Sequence, residues 1–325
     1  MHNKHFKTAV LDWATVSSNN DITPEEIYSP GEIKFYDLTD PSQTVSRIKD
    51  CEAVLCNKVK ITAQIISQCP SLRYIGLFAT GYNNIDLDAA NAAGITVCNA
   101  GSYSTDAVAQ LTFAMILTHY CSIPAYTSDV KNNAWINSAT FSMLCHPMSE
   151  LSSKTISVIG YGSIGRAVAK IASAFNMNVL VHTRTTPEDC PYRLVSIEEA
   201  FSAADIITFH CPLTPQTQNL VNQKHLGMMK KSALVVNTSR GGVVDEKALA
   251  DALGSGTIAG ACLDVLNQEP MSADTPLRDA KNCLITPHIA WAPLETRQRL
   301  ISIVNNNLRS FIEGNPSNVI NSPHK

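Results

Sequence analysis

The chain has 325 residues, of which 45% are hydrophobic and 16% are charged, and its formal net charge is −3 at pH 7. This length suits two domains that each bury a core of their own. A nucleic-acid-binding protein usually carries a basic patch, and a membrane-spanning helix needs ~18 consecutive apolar residues; the sequence has neither. The polar N-terminus is followed by only a short apolar run, which does not fit a signal peptide, so we expect a cytoplasmic protein.

Ten cysteines are scattered along the chain. None forms a C-x-x-C pair, their spacing matches no zinc-ligand pattern, and most lie in apolar stretches, as Cys262 and Cys283 do. Disulfides are rare in reducing compartments. We therefore interpret the cysteines as small buried hydrophobic residues and expect no metal site.

Short apolar runs alternate with helical patterns over the first hundred residues. Strands are predicted at residues 8–13, 53–55, 74–77 and 96–98. A helix is predicted at 86–93, because Gly94 is a typical helix stop. This alternation predicts a parallel sheet with crossover helices.

A mostly apolar helix is predicted at 104–118, and a second series of elements begins at Thr155. Its predicted strands are 155–159, 178–181, 206–209, 233–237, 260–263 and 283–285, and its predicted helices are 164–175, 196–203 and 246–255. A last helix is predicted at 294–312. The second series is typical of a doubly wound α/β sheet.

Gly160, Gly162 and Gly165 form a G-x-G-x-x-G motif between the strand 155–159 and the helix 164–175. In this context the first glycine allows a tight turn, the second lets the backbone approach a pyrophosphate, and the third lets helix and strand pack closely. The free N–H groups and the dipole of the helix N-terminus favour phosphate binding. The motif therefore predicts a dinucleotide-binding domain.

The end of the next strand normally selects the cofactor, through an acidic residue that binds the ribose of NAD. Here Thr183 takes that position and Arg184 follows it. A guanidinium can pair with the 2′-phosphate of NADP, although it can also stack over the adenine. We therefore expect NAD(P)H as the cofactor, with a slight lean to NADP.

Arg240, Glu269 and His288 each follow a predicted strand of the second series. In open α/β sheets ligands bind beyond the carboxyl ends of the strands, so the three side chains could face one crevice. Arginine can grip a carboxylate and polarise a carbonyl, histidine can donate a proton near neutral pH, and a glutamate can hold the imidazole. We predict these three as the catalytic residues of a 2-keto acid reductase.

The sequence resembles the D-isomer-specific 2-hydroxyacid dehydrogenases over nearly its whole length. The resemblance rests on four motifs in the family's order: residues 160–165, 237–245 (NTSRGGVVD), 264–270 (DVLNQEP) and 286–291 (TPHIAW). It implies two Rossmann-like domains with doubly wound parallel sheets. The substrate-binding domain would comprise residues 1–101 and 293–325, and the inserted dinucleotide-binding domain residues 102–292. The resemblance also implies a homodimer.

By the same resemblance Arg240 binds substrate, Glu269 supports the proton donor His288, and Asp264 holds the nicotinamide carboxamide. The remaining candidate cofactor-binding residues are Tyr161, Ser163, Ile164, Cys211, Pro212, Thr217 and Thr238. The loop containing Ala79, Thr80 and Gly81 resembles the family's substrate loop, and turn N–H groups of this kind bind anions.

Among family members the sequence looks most like the glycerate dehydrogenases, or hydroxypyruvate reductases. Lys58 could reach a polar substrate end, although a solvated loop lysine fits as well, and Trp291 would narrow the pocket. Hydroxypyruvate and glyoxylate are therefore the expected substrates. The alternative is a dinucleotide-sensing, corepressor-like protein, because the fold alone does not decide function. An L-lactate or malate dehydrogenase is disfavoured, because its glycine motif would lie near the N-terminus.

Overall fold

The computed structural model describes residues 6–323. They form two compact units, one from the described parts of Met1–Tyr103 and Ala292–Lys325 and the other from Ser104–Trp291. Both units are α/β structures whose sheets contain only parallel pairs of strands. The predicted fold class is confirmed.

The first unit is built on a five-stranded sheet. Its strands are β1 (Lys7–Val10), β2 (Glu32–Phe35), β3 (Ala53–Cys56), β4 (Tyr74–Leu77) and β5 (Thr96–Cys98), in the spatial order β2-β1-β3-β4-β5. Short helices α1 (Thr44–Ile48), α2 (Ala63–Ser67) and α3 (Leu87–Ala92) connect them. The strands β3 and β4 are buried along their whole length, as is usual for central strands covered on both faces.

Two features of this sheet differ from the prediction. The first strand ends at Val10 rather than at residue 13, because Trp13–Thr15 form a 3-10 helix that begins after Asp12. The strand β2 was not predicted, since it is an edge strand that reads Glu-Ile-Lys-Phe and lacks an apolar run. A half-buried edge strand gives a weak sequence signal.

The second unit is built on a seven-stranded sheet with helices between the strands. Its elements in chain order are α4 (Thr105–Cys121), α5 (Ile123–Lys131), β6 (Thr155–Ile159), α6 (Ser163–Ala174), β7 (Asn178–His182), β8 (Arg193–Leu194), α7 (Ile197–Ala203), β9 (Ile206–Phe209), α8 (Gln223–Leu226), β10 (Leu234–Asn237), α9 (Glu246–Ser255), β11 (Gly260–Leu263) and β12 (Cys283–Ile285). The spatial order is β12-β11-β10-β9-β6-β7-β8. The direction of winding therefore reverses between β6 and β9, where doubly wound sheets bind their ligands.

The chain then returns to the first unit as α10 (Leu294–Ile312). This helix is anchored by Arg297, whose guanidinium donates to both carboxylate oxygens of Asp21 at 2.8 and 2.5 Å and to the carbonyl of Val16 at 3.1 Å. Two segments far apart in sequence thus share one core.

The helix α4 packs in the core of the second unit through Phe113, Met115 and Ile116. Among the described residues no single helix is long and apolar enough to cross a membrane, whereas α4 and α5, which meet at a bend of 58°, pass that test only as a pair. The interpretation of the cysteines holds for half of them, because Cys51, Cys56, Cys69, Cys98 and Cys262 are buried. It is wrong for Cys145, which is exposed on the segment that follows α5.

Candidate active site

The loop from β6 to α6 takes its shape from two glycines. Gly160 has φ +93°, and a Cβ there would lie 2.7 Å from the carbonyl oxygen of His210 and 2.8 Å from the nitrogen of Cys211. A Cβ at Gly165 would lie 2.0 Å from the carbonyl oxygen of Gly160. Any side chain at these positions would push β6, α6 and the loop after β9 apart.

Gly162 differs, because a Cβ there would meet no atom within 4 Å. It is the N-cap of α6, and no side chain caps the helix at this point. The protein itself therefore gives no packing reason for a glycine, whereas a phosphate group approaching the helix N-terminus does. The loop fits the pyrophosphate of a dinucleotide.

Tyr161, a predicted cofactor-binding residue, lies within this loop between Gly160 and Gly162. The ring of Tyr161 is buried, and the guanidinium of Arg166 lies 4.5 Å from its centroid. Arg166 also forms a two-point ion pair with Asp189, with both N–O distances at 2.9 Å. This pair ties α6 to the segment after β7. Sequence reasoning missed it because its two residues are 23 positions apart in the sequence.

Thr183 and Arg184 directly follow β7, as predicted. Thr183 is half-buried and Arg184 is exposed. Within residues 6–323 the Arg184 guanidinium has no ion-pair or hydrogen-bond partner. The guanidinium is thus exposed and available to a ligand at the end of β7.

The candidate residues after β9 and β10 stabilise their own loops. Thr217 donates its hydroxyl to the carbonyl of Pro212 at 2.7 Å, and burial raises the pKa of the Cys211 thiol to about 11. The hydroxyls of Thr238 and Thr112 share a hydrogen bond of 3.1 Å, which links β10 to α4. Ser163 and Ile164 lie in the first turn of α6.

Arg240 follows β10 in a turn that Asn237 closes. The buried amide of Asn237 donates to the carbonyl of Arg240 at 2.8 Å and accepts from the backbone and hydroxyl of Ser239 at 3.0 and 2.8 Å. The Arg240 guanidinium donates to the carbonyl of Ser239 at 2.7 Å. These bonds fix the backbone from which the guanidinium extends.

The loop that carries Glu269 lies directly against this turn. A Cβ on Gly241 would lie 2.0 Å from the carbonyl of Leu266, so only glycine allows the two loops to approach so closely. Glu246, at the start of α9, accepts a hydrogen bond from the backbone of Asn267 at 2.7 Å. Glu246 is a positioning residue that sequence reasoning missed, because acidic residues are common in the first turn of any helix.

His288 and Glu269 form the central contact of the site. Nδ1 of His288 lies 2.7 Å from Oε2 of Glu269, and both side chains are partly exposed. The second carboxylate oxygen of Glu269 accepts from the backbone of Leu266 at 3.1 Å. Since Nδ1 is engaged by the carboxylate, Nε2 is the ring nitrogen left to exchange a proton with a substrate.

Asp264 holds the loop that carries His288. Its buried carboxylate accepts the hydroxyl of Thr286 at 2.6 Å and the backbone N–H groups of Ile289 and Ala290 at 2.8 and 2.9 Å. Burial raises the pKa of Asp264, and these hydrogen bonds offset part of that shift. The structure thus gives Asp264 a positioning role beside the expected contact with the nicotinamide. Trp291 follows this loop and is half-buried.

The first unit has a similar arrangement at the ends of its strands. The buried carboxylate of Asp12 accepts the backbone N–H groups of Asn57, Lys58 and Val59 at 2.8, 2.6 and 3.2 Å. The turn that carries Lys58 is thereby fixed, and the Lys58 side chain is exposed. The strand predicted at residues 8–13 contained Asp12 and so hid this role; an acidic residue at the end of an apolar run is the signal that could have found it.

The predicted substrate loop follows β4. The hydroxyl of Thr80 donates to the carbonyl of Gly101, and the amide of Asn99 donates to the carbonyl of Thr80 at 2.7 Å. In the part of the chain that the structure describes, the backbone N–H groups of Ala79, Thr80 and Gly81 have no hydrogen-bond acceptor. Three consecutive free N–H groups can bind an anion.

Comparison with known proteins agrees with this geometry. The sequence model of the "D-isomer specific 2-hydroxyacid dehydrogenase, NAD binding domain" matches residues 113–290. The chain is 39% identical to a hydroxypyruvate reductase of Blautia hydrogenotrophica over 97% of its own length and 100% of the relative's. It is 38% identical to a glycerate dehydrogenase of Methylorubrum extorquens, over 92% and 95% of the two lengths.

A solved structure leads to the same family. The NADPH-dependent glyoxylate/hydroxypyruvate reductase of Sinorhizobium meliloti, in complex with NADP and malonate, superposes with a TM-score of 0.85 at 26% identity. The alignment covers 99% of this chain and 98% of that one. The nucleotide loop, the family match and these relatives together identify the chain as a member of the D-isomer-specific 2-hydroxyacid dehydrogenases, the NAD(P)-dependent oxidoreductases of 2-hydroxy acids.

Proposed function

We propose that the protein reduces small polar 2-keto acids, hydroxypyruvate and glyoxylate, to D-glycerate and glycolate with NAD(P)H in a reversible reaction. The observation that carries the proposal is the His288–Glu269 pair at 2.7 Å, located at the strand ends of the nucleotide-binding unit. Residues 1–101 and 293–325 would form the substrate-binding domain, and residues 102–292 the dinucleotide-binding domain. The names of the relatives from Blautia and Methylorubrum support this choice of substrate.

When bound at the loop formed by Gly160, Gly162 and Gly165, NAD(P)H would supply the hydride that C2 of the keto acid takes up. Nε2 of His288 donates the proton that the carbonyl oxygen takes up, so the carbonyl becomes a hydroxyl. Glu269 holds the imidazole through Nδ1, which leaves Nε2 for the substrate. Arg240 binds the carboxylate and polarises the carbonyl, because its planar guanidinium can donate two parallel hydrogen bonds.

The first unit would contribute substrate-binding groups. The free N–H groups of Ala79, Thr80 and Gly81 are suited to the substrate carboxylate. Lys58, whose turn is fixed by Asp12, and the bulky Trp291 favour short polar substrates over branched or aromatic ones.

Steady-state kinetics test the proposal. Rates of NADH and NADPH oxidation would be measured with hydroxypyruvate, glyoxylate, pyruvate, 2-ketoisocaproate and phenylpyruvate. We expect kcat/KM to be highest for hydroxypyruvate and glyoxylate. A preference for phenylpyruvate or 2-ketoisocaproate would contradict the substrate assignment, and tight nucleotide binding without turnover of any keto acid would favour the corepressor-like alternative.

Both cofactors are expected to work, with NADPH somewhat preferred. Thr183 stands where an acidic residue would repel the 2′-phosphate of NADPH, so that repulsion is absent here. Arg184 supplies a positive charge for the same phosphate. Arg184→Ala should therefore raise the KM for NADPH more than that for NADH. Arg193→Ala is the matched control, because Arg193 is an exposed arginine that pairs with Glu199. Equal losses for both cofactors in Arg184→Ala would show that Arg184 only stacks.

We also propose a homodimer. Residues 135–141, which follow α5, expose large apolar side chains, among them Trp135 (53% exposed), Ile136 (80%) and Phe141 (92%). Such a cluster is typical of a protein interface, and a second copy is its proposed occupant. Sedimentation should give a dimer that Ile136→Glu with Phe141→Glu shifts to monomer; a wild-type monomer would contradict this. The ten free thiols fit the expected cytoplasmic location, which cell fractionation would test.

A further inference from the structure

Three side chains with metal-binding atoms lie close together on α5 and on the loop 141–147 that follows it. None of them is among the residues proposed for catalysis. Nε2 of His146 lies 2.7 Å from Oδ2 of Asp129, and the thiol of Cys145 lies 3.4 Å from the same oxygen. The three candidate ligand atoms all lie within 4.8 Å of one another. Asp129 is on α5, whereas the other two lie in the loop that returns to it.

Tyr126, one turn before Asp129 on α5, holds this loop in place. Its hydroxyl donates to the carbonyl of His146 at 3.0 Å and accepts from the His146 backbone N–H at 3.2 Å. The two rings also meet edge to face, with their centroids 4.9 Å apart. The hydroxyl of Ser122 donates to the carbonyl of Pro147 at 2.7 Å. The cluster is therefore supported by a surrounding shell, as metal ligands usually are.

A catalytic cysteine does not fit this arrangement. In a nucleophilic pair the imidazole accepts the thiol proton, whereas here Cys145 and His146 both contact the carboxylate of Asp129. A carboxylate, a thiol and an imidazole placed together in this way are better suited to binding a cation.

We propose that Asp129 Oδ2, Cys145 Sγ and His146 Nε2 form a Zn²⁺ site. Carboxylate oxygen, thiolate sulfur and imidazole nitrogen are all zinc ligands, with bonds of about 2.0–2.3 Å. A tetrahedral ion would place ligand atoms roughly 3.3–3.8 Å apart. The sulfur–oxygen distance of 3.4 Å already agrees, and the nitrogen–oxygen hydrogen bond would open by less than an ångström.

The charges of this site also balance. The thiol proton leaves to solvent as the sulfur–zinc bond forms, so one carboxylate and one thiolate neutralise the dication while the imidazole binds as a neutral ligand. The fourth coordination position would be taken by water. The ion would link α5 to the loop 141–147 and so hold the apolar side chains of this segment in one arrangement.

Cobalt spectroscopy of the tag-free, full-length protein tests the site, because Co²⁺ substitutes for Zn²⁺ and gives a thiolate charge-transfer band in the near ultraviolet. We expect one Co²⁺ per chain with this band, and its loss when Zn²⁺ is added. Binding of Zn²⁺ to the native state should also raise the unfolding temperature. Absence of the charge-transfer band, or of a 1:1 stoichiometry, would overturn the proposal.

Variants identify the ligands. Cys145→Ser and His146→Ala should abolish the cobalt band or weaken binding severely, and Tyr126→Phe should weaken it about tenfold through the supporting shell. Cys190→Ser is the matched control, because Cys190 is a half-buried cysteine outside the cluster, and it should bind as wild type does. A band that persists in Cys145→Ser would show that another cysteine binds the metal.

The result does not depend on the proposed reductase activity, since the readout is the metal itself. The proposed catalytic residues lie elsewhere in the sequence, at Arg240, Glu269 and His288. A chain that binds Zn²⁺ but reduces no keto acid would leave the site standing. An active reductase without metal binding would overturn only the site.

Discussion

Each unit of the molecule uses a buried aspartate to hold a loop at the end of a neighbouring strand. Asp12 follows β1 and accepts three backbone N–H groups from the turn after β3. Asp264 follows β11 and accepts two backbone N–H groups and a hydroxyl from the turn after β12. Burial raises the pKa of both carboxyl groups, so both loops are held at some cost in desolvation.

The difference lies in what each loop does with its side chain. The turn held by Asp264 keeps His288 at φ +57°, a left-handed conformation that few residues other than glycine adopt, and directs its ring to Glu269. The turn held by Asp12 presents Lys58 at the surface. The same kind of contact thus holds the proposed proton donor His288 tightly in one unit and places only the exposed charge of Lys58 in the other.

The largest expected effect on kinetics comes from replacing the side chains that the two loops carry, His288 and Lys58. His288→Ala should lower kcat by about 10²–10⁴-fold, because the transition state loses its proton donor, while NADPH still binds. Lys58→Ala should raise the KM for hydroxypyruvate and leave kcat nearly unchanged. The measurements are steady-state kinetics and nucleotide titration. Comparable losses of kcat in both variants would remove the distinction between the loops.

Asp264→Asn is expected to affect both stability and turnover. The amide would keep one acceptor oxygen for Thr286 and Ile289 but would turn an N–H₂ group toward the N–H of Ala290. A buried donor left without an acceptor costs about 1–3 kcal/mol in the free energy of unfolding. We also expect kcat to fall, because His288 is no longer held. Urea unfolding and kinetics check this, and an unchanged kcat would contradict a positioning role.

Asp12→Asn should cost a similar ~1–3 kcal/mol in the free energy of unfolding, for the same reason. Its kinetic effect should be smaller and confined to the KM of the keto acid, since the turn it holds carries Lys58. The matched comparison is Asp264→Asn under the same conditions. A larger fall in kcat for Asp12→Asn than for Asp264→Asn would reverse the account.

The smallest expected effect is on the pH dependence of stability. Burial raises the folded-state pKa of Asp12 and Asp264 above the ordinary value of 3.8. The folded state therefore holds these protons more tightly, so each group favours folding fully below pH 3.8, and this contribution is lost as pH rises through its raised pKa. The destabilisation caused by each Asn variant should accordingly be larger near pH 4 than at pH 7. A pH-independent difference would contradict the raised values.

Much of this architecture could be predicted from sequence because its signals are local. Gly160, Gly162 and Gly165 lie at the junction of a strand and a helix, and Arg240 comes three residues after a buried strand. Strong apolar runs gave the central strands. The edge strands β2 and β8 and the helix α5 were missed, because short or half-exposed elements carry weak periodicity.

The supporting contacts could not be predicted, because they join residues far apart in the chain. The carboxylate of Asp12 accepts the backbone N–H of Lys58, 46 positions away in the sequence, and that of Asp264 accepts the N–H of Ala290, 26 positions away. The proposed zinc ligands are a further example, since Asp129 precedes Cys145 by 16 positions and no short motif contains both. Only the folded backbone shows which polar groups share a site.

The most direct test of the central claim is the fate of the hydride. Hydroxypyruvate would be incubated with the protein and NADPH carrying deuterium at C4 of the dihydronicotinamide on the face that is transferred, and the glycerate formed would be analysed by mass spectrometry and chiral chromatography. We expect D-glycerate with deuterium at C2, and almost none with His288→Ala. L-glycerate, or nucleotide binding without any deuterated product, would contradict it.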